Sequence, residues 1–508
     1  MKKIVDRFGG KLYFISVLTF LAIAAFLRLY RIQEFATFLG DQGRDAIIMK
    51  DIITFQDFTA LGPITSVGSI YLGPFYYYFM SPWLGLFRLN PVGPAIGVAI
   101  INVIGLLLMY LAVSDLINRQ TAILSVVLAA FSWVLIEFSR FSWNPNILPV
   151  TSFFVVYTTI KAIRTGRTYW FAAVGALVSA AVQLHYLAIF LLPFVTGAVA
   201  YWIVKGNGAR WSLKAQNLAF AAGGFALVMS PFIIFEIKHK FPNINSVIRF
   251  ANENNDKSGT GGTYSPLANL LDTSNKLIQY VFQLDLSHYL GGFLSLMILA
   301  VIAVVILWRP KSKNQKEKNS EPCITPLLFA FFTLLIGTSL YHGPKFPHYL
   351  GALYLLFYVL LAVAITKIAT RINPRIGTVV IGILVSQYVV LNAKHFIFLW
   401  QLEGHRQIER SRNVAQVIRQ MNPQMPYTLT TSPEAYADYP YRYYLDAWGK
   451  KPIPKEEDAL IPTKELYVIC EKKCDPMADS QWAIAHFSAR KIADEKTAEG
   501  LYIYRLIK

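Results

Sequence analysis

The chain is short of charge, of cysteine and above all of acid. Only 15% of its 508 residues are charged, and 30 acidic residues stand against 48 basic ones. A water-soluble domain needs a far more polar exterior, so that class is excluded. Three cysteines cannot build a disulfide framework. The apolar runs carry no charge near their centres, which argues against an ion-coupled transporter with buried ionisable residues. No internal repeat, low-complexity tract or soluble nucleotide-binding domain is found along the sequence.

What is abundant is apolar surface: 55% of the residues are hydrophobic and 14% aromatic, with a mean hydropathy of +0.41. Runs of about 17 to 25 apolar residues recur, long enough to cross about 30 Å of hydrocarbon as helix. They lie near 12–28, 94–114, 121–139, 147–163, 169–185, 187–204, 216–235, 290–308, 324–341, 349–366 and 376–395. The expectation is an all-α polytopic membrane protein of about eleven transmembrane helices. The run Lys11–Leu27 has no small-residue cleavage site and reads as an uncleaved first span. The net charge of +18 does not call for a nucleic-acid partner, because many basic residues sit in short connectors, where the positive-inside rule puts them.

One more segment, Ser69–Phe87, is apolar enough to tempt a further span. Charge decides against it. With a cytoplasmic N-terminus and no crossing here, Lys2, Lys3, Arg7 and Lys11 share a side with Arg119, with Lys161, Arg164 and Arg167, with Lys205, Arg210 and Lys214, with the run Arg309 to Lys318, and with Lys367, Arg371 and Arg375. A crossing would move every later basic loop outside, against the rule. The Gly73-Pro74 and Ser81-Pro82 breaks suit two short helices at the interface.

The opposite, extracytoplasmic face then collects the outer loop 29–93, the loop "SRFSWNPN", "QLHYL", the outer loop 236–289, "YHGPKFPHYLG" and the tail. The tail, 396–508, combines a polar helix pattern over Gln401–Gln420 with the β-like runs "YTLTT", "ELYVIC" and "GLYIYRLI". It reads as a small extracytoplasmic α/β domain following a transmembrane domain of residues 1–395, and is expected to position an acceptor. Cys470 and Cys474 could bond in an oxidising exterior. "NENNDKSGTGGTYS" reads as a flexible stretch.

Chemistry is therefore sought on the outer face. In "GDQGRDA", Asp41 could take a proton or hold a divalent metal; equally, it precedes a helical pattern and could cap it. Arg44 and Asp45 follow on the first turns, where a local salt bridge is expected. In "EFSRFSWNPN", Arg140 could meet a phosphate or pair with Glu137, while Trp143 offers a face for a sugar beside Asn144. His185 and Tyr186 stand at the end of a hairpin between spans. His342, Lys345, His348 and Tyr349 crowd a later span mouth, where cations suit an anionic headgroup or phosphate, or simple interfacial anchoring. An acid, several cations and aromatics at membrane level suit a lipid-linked phosphosugar.

These stretches resemble the GT-C superfamily of membrane glycosyltransferases, in the branch of protein O-mannosyltransferases and lipid A aminoarabinose transferases (glycosyltransferase family 39 and relatives). "FLGDQGRDA" is similar to the family's first-loop Gly-Asp-Glu motif, with Asp41 at the Asp and Gln42 in place of Glu. "GPFYYYFMSPWLGLF" resembles its juxtamembrane Pro-Pro-Leu-Tyr-Tyr-Trp stretch. "KFPHYLGALY" resembles Lys-x-Pro-Arg-Tyr, with His348 in place of Arg; Asn144 and Asn146 stand where many members have a second acid. The resemblance spans roughly 10–395. It implies a sugar donor linked to polyprenyl or dolichyl monophosphate, Asp41 as the base, and inversion at the anomeric carbon. Lys345, His348, His185 and Arg140 would stabilise the departing phosphate, and Asp45, Arg44, Trp143, Asn144, Tyr186, His342 and Tyr349 would line the substrate. It implies a hexosyl- or pentosyltransferase of the inner membrane acting on a glycan, lipid or protein acceptor. No nucleotide sugar is needed and no cofactor is assigned; a divalent metal stays open, although the missing acids leave one carboxylate where several oxygen ligands are favoured. The alternative from another class is a lipid-linked glycan flippase, which would need a polar path through the spans.

Overall fold

The computed structural model describes residues 5–6, 8, 10–65, 70–205, 210–257, 265–285, 288–308, 323–341, 343–433, 438–454, 457 and 460–508. His342, the basic residues Lys2, Lys3 and Arg7, the connector Arg309 to Lys318 and half of the stretch expected to be flexible (258–264) lie outside them. That stretch is helical up to Lys257, within the helix Pro242–Lys257.

Among the described residues eight helices are long and apolar enough to cross a membrane, and three more, Arg119–Ala130, Thr168–Leu184 and Ile324–Ser339, are apolar but shorter. Every expected span falls on one of these helices. One boundary differs. The segment 121–139 is not a single helix: it stops at Ala130, and Ser132 starts a second one, Trp133–Phe138, by accepting the N–H of Leu135 at 3.4 Å. A serine hydroxyl that satisfies an orphan N–H is a helix start wherever it falls, even inside an apolar run.

The helices pack as membrane helices do, through small residues. A Cβ on Gly175 would lie 1.8 Å from the carbonyl of Ala221, and one on Gly224 would lie 2.2 Å from that of Ala172. Helices Thr168–Leu184 and Trp211–Lys238 therefore touch backbone to backbone, which only glycine permits. Helix Gly351–Ala369 is buried along nearly its whole length and forms the centre of the bundle.

Three spans begin, on one face, as tight 3₁₀ turns: Asn144–Ile147, Tyr186–Leu191 and Pro347–Leu350. Pro145 and Pro347 occupy first-turn positions, where a missing N–H costs nothing and φ is already helical.

On that same face the first loop folds into helix Gly40–Ile53, a hairpin closed by an Ile64–Tyr71 bridge, and helix Phe75–Leu86. The Ser69–Phe87 segment thus supplies one 12-residue helix, too short to cross. Its Pro82 lies inside that helix, so the expected break into two helices does not occur there.

The C-terminal unit carries a four-stranded sheet of order β1-β2-β4-β3. β1 (Thr428–Ser432) runs parallel to β2 (Glu465–Cys470), and β4 (Leu501–Ile507) is antiparallel to β2 and to β3 (Lys491–Ala498). β3 was not apparent in the sequence because "KIADEKTA" is mostly exposed and lacks apolar alternation. Helix Gln407–Gln420 realises the polar helix pattern with a later start. Cys470 and Cys474 form a disulfide.

Candidate functional site

Helix Gly40–Ile53 opens with its own polar cap. The Gln42 side chain accepts the backbone N–H of Leu39 at 3.0 Å, so the residue that departs from the resembled motif is the one that closes the helix end. Asp41 is not the cap. It stands in the first turn, where the helix dipole favours a carboxylate, with 47% of its side chain exposed and Oδ1 3.0 Å from Arg44 Nη1. Arg44 also reaches Asp45 at 2.8 Å, which realises the expected local pair.

Asp45 points away from solvent. It is buried and accepts the Tyr77 hydroxyl at 3.1 Å, and its Oδ2 has no hydrogen-bond partner among the described residues. Burial pushes its pKa up to about 6, against the pull of the Arg44 guanidinium. Burial alone would lower the pKa of Arg44, but Asp45, Tyr77 and Asp41 together outweigh it and raise the value, so Arg44 stays charged. The Tyr77 phenol is raised by burial and by the same carboxylate, and stays neutral.

Asp41 and Arg44 form one wall of a cavity of about 130 Å³. The 3₁₀ turns supply the opposite wall: Asn144 and Pro145 from the first, Tyr186 with its preceding His185 from the second, His348 and Tyr349 from the third, with Trp143 just ahead of the first. The rings pack closely. Trp143 and His348 have centroids 4.6 Å apart, His185 and His348 5.7 Å, His185 and Tyr349 5.2 Å. Asn144 Nδ2 donates to the Leu184 carbonyl at 2.7 Å. His185 Nδ1 accepts the N–H of Leu187 at 3.3 Å, so the neutral ring carries its proton on Nε2. The hairpin adds Pro63, Ile64, Thr65 and Leu72. These four had no signal in the sequence beyond their place in the outer loop.

Asp45, expected to line the substrate, is buried behind Arg44 and does not line the cavity, and two further candidates stand elsewhere. Arg140 is buried and donates to the backbone carbonyls of Leu27, Arg28 and Tyr30, with its guanidinium 4.3 Å from the Phe398 ring. It ties the end of the first span to a neighbour; the expected pair with Glu137 does not form. Lys345 is buried and bonded to Asp272 at 3.1 Å, from helix Pro266–Phe282 of the second long loop. Neither lines the cavity.

Asp41 is the one carboxylate in the cavity wall, and among the described residues no three His, Cys, Asp or Glu side chains gather to hold a metal ion. The donor set does not fit a divalent cation, which favours several oxygen ligands.

Over residues 72–235 the chain matches the family described as dolichyl-phosphate-mannose-protein mannosyltransferase. No curated protein matches the sequence. Solved structures share its fold. ArnT from Cupriavidus metallidurans superposes with a TM-score of 0.60 in the apo state and 0.59 bound to undecaprenyl phosphate, at 14% and 13% identity, each covering 96% of this chain and 97% of that one. The apo oligosaccharyltransferase of Archaeoglobus fulgidus gives 0.53 at 14% identity, over 94% of this chain and 71% of that one. The molecule is thus a multi-span membrane protein with a GT-C fold. It resembles the membrane glycosyltransferases of that superfamily in its juxtamembrane and early span region as well as in its architecture.

Proposed function

We propose that this protein is a membrane glycosyltransferase that moves a sugar from a polyprenyl-phosphate donor to an acceptor hydroxyl at the extracytoplasmic surface. The observation that carries this reading is the single cavity on which Asp41, Arg44, Trp143, Asn144, His185, Tyr186, His348 and Tyr349 converge from four separate elements. The ArnT structure with undecaprenyl phosphate supports a lipid-phosphate ligand for this fold. The Cys470–Cys474 disulfide supports an oxidising, extracytoplasmic side for the C-terminal unit.

In this reading Asp41 accepts the proton of the acceptor hydroxyl as its oxygen attacks the anomeric carbon from the face opposite the phosphate. The new C–O bond forms as the bond to phosphate breaks, and the electron pair leaves on the polyprenyl phosphate. The configuration inverts. Arg44, 3.0 Å from Asp41, orients the base and brings a permanent positive charge to the cavity. His185 and His348 are the ring N–H groups available to the departing phosphate, and Trp143 is a face for the sugar to stack on. Arg140 and Lys345 serve as struts, because both lie outside the cavity and tie other parts of the chain together. No step is routed through a metal.

The test is transfer by the purified chain, in detergent or proteoliposomes, from undecaprenyl-phosphate-linked hexose and pentose donors. Asp41→Asn should stop transfer while undecaprenyl phosphate still binds. Undiminished transfer by that variant would remove Asp41 as the base. Donor translocation without transfer, equal in both proteins, would favour a flippase.

A further inference from the structure

The helix that bears Asp41 has a second face, turned to the C-terminal unit. There it lies against helix Tyr439–Ala447 at two points. At Gly43 the backbones meet: a Cβ would lie 2.5 Å from the nitrogen of Pro440 and 2.6 Å from the carbonyl carbon of Tyr439. Seven residues on, the Lys50 ammonium lies 3.1 Å from Asp446 Oδ2, 2.6 Å from Asp51 Oδ1 and 3.1 Å from Gln56 Oε1.

Lys50 and Asp446 each lie about two turns beyond the glycine contact along their helices, about 10 Å further, so the pair runs in the same direction and in register. The lysine side chain is 4% exposed and the Asp446 side chain 9%. Charges this deep persist only when matched, and a matched pair discriminates against every slipped arrangement that would bury one of them alone. A slide of one helix by a single residue would part the buried Asp446 from the Lys50 ammonium, which Asp51 on its own helix would still hold, and a rotation would drive Gly43 into the Pro440 backbone. Around this seam, Phe38 packs edge-on against Tyr443 and Tyr444 at 6.0 and 6.1 Å, and its N–H is accepted by Gln407 at 2.8 Å.

We propose that Lys50 is a positioning residue for the reaction. With Asp446 it fixes the helix register that sets Asp41 at the cavity wall, which makes the C-terminal unit part of the catalytic frame and not only a platform for an acceptor. The inference rests on the glycosyl-transfer reading of Asp41.

Two measurements on the full-length protein test it, and one is independent of activity. In hydrogen–deuterium exchange, Lys50→Met should speed exchange of amides 40–46, two turns away, with the spans unchanged, and Lys50→Arg should restore protection because its fork can meet both aspartates. In transfer from undecaprenyl-phosphate sugars, Lys50→Met should lower kcat about tenfold or more with donor KM kept within about twofold, as expected for a displaced base, and Lys50→Arg should recover most of it. Asp446→Asn keeps the shape and removes the charge, and should show the same pattern more weakly. The proposal is overturned if Lys50→Met turns over normally, if faster exchange is confined to residues 50–56, or if Lys50→Arg fails to rescue a folded protein. Failure of the unmodified chain to transfer sugar would instead overturn the reading of Asp41, with the exchange result still deciding the seam.

Discussion

The two long loops on the site face look alike in the sequence, as polar interruptions between apolar runs, yet they do opposite work. The first presents charge to the cavity: Asp41 half exposed, and Arg44 beside it. The second withdraws charge. Asp272 on its helix engages Lys345, and Asn243, itself held by the buried Glu236 at 2.8 Å, accepts the N–H of Tyr71 at 2.8 Å and so braces the hairpin of the first loop. A charged residue near a membrane site is thus not evidence of chemistry until its partners are known. Arg140 and Lys345 are the cautionary cases, and Arg44 the contrasting one.

That contrast can be broken by substitution. The largest effect should come from Asp41→Asn, which removes the proposed base and should lower kcat about 10²- to 10⁴-fold in transfer assays, with little change in thermal stability. Arg44→Gln comes next. It removes the cavity's permanent cation and leaves Asp45 buried without its partner, so kcat/KM should fall about 10- to 100-fold and the unfolding midpoint should drop as well. If the second loop is only a brace, Asp272→Asn should act on stability alone. Stranding Lys345 should cost about 2 kcal/mol, below the range for fully buried pairs because Asp272 keeps 21% of its side chain exposed. Its kcat should hold in a thermostability-matched assay; a kcat loss like that of Arg44→Gln would erase the distinction between the loops.

The smallest effect is one of pH. Asp45 titrates at about 6 in the fold against an ordinary 3.8, so the folded chain holds this proton more tightly than the unfolded chain. Its contribution to stability therefore falls as pH rises from about 4 to about 6, and is level above that. The midpoint difference between the parent and Asp45→Asn, followed across that window, should move against the parent and then flatten. A difference independent of pH would show that Asp45 is ionised throughout.

Much of this was legible in the sequence because bilayers impose simple rules. Apolar runs located the spans, and basic connectors gathered Asp41, His185 and His348 on one face without any knowledge of contacts. What escaped depended on partners far along the chain. Nothing near Lys345 foretells Asp272, 73 residues earlier. Nothing around Arg140 reveals three backbone carbonyls more than a hundred residues away in sequence. The break at Ser132 was hidden by the apolar residues on either side, and β3 by its exposure on both faces.

The 3₁₀ turns at the span mouths carry one more implication. In such a turn, residues repeat every three positions with a rise of about 2 Å, so adding or losing one residue swings the following side chain by about a third of a circle. Asn144, Tyr186 and His348 would each leave the cavity after a change of that kind, whereas a new side chain at the same place would only reshape its wall. Across evolution, then, this rim should vary in residue type, and with it in the shape of the cavity, while the number of residues in each turn stays constant.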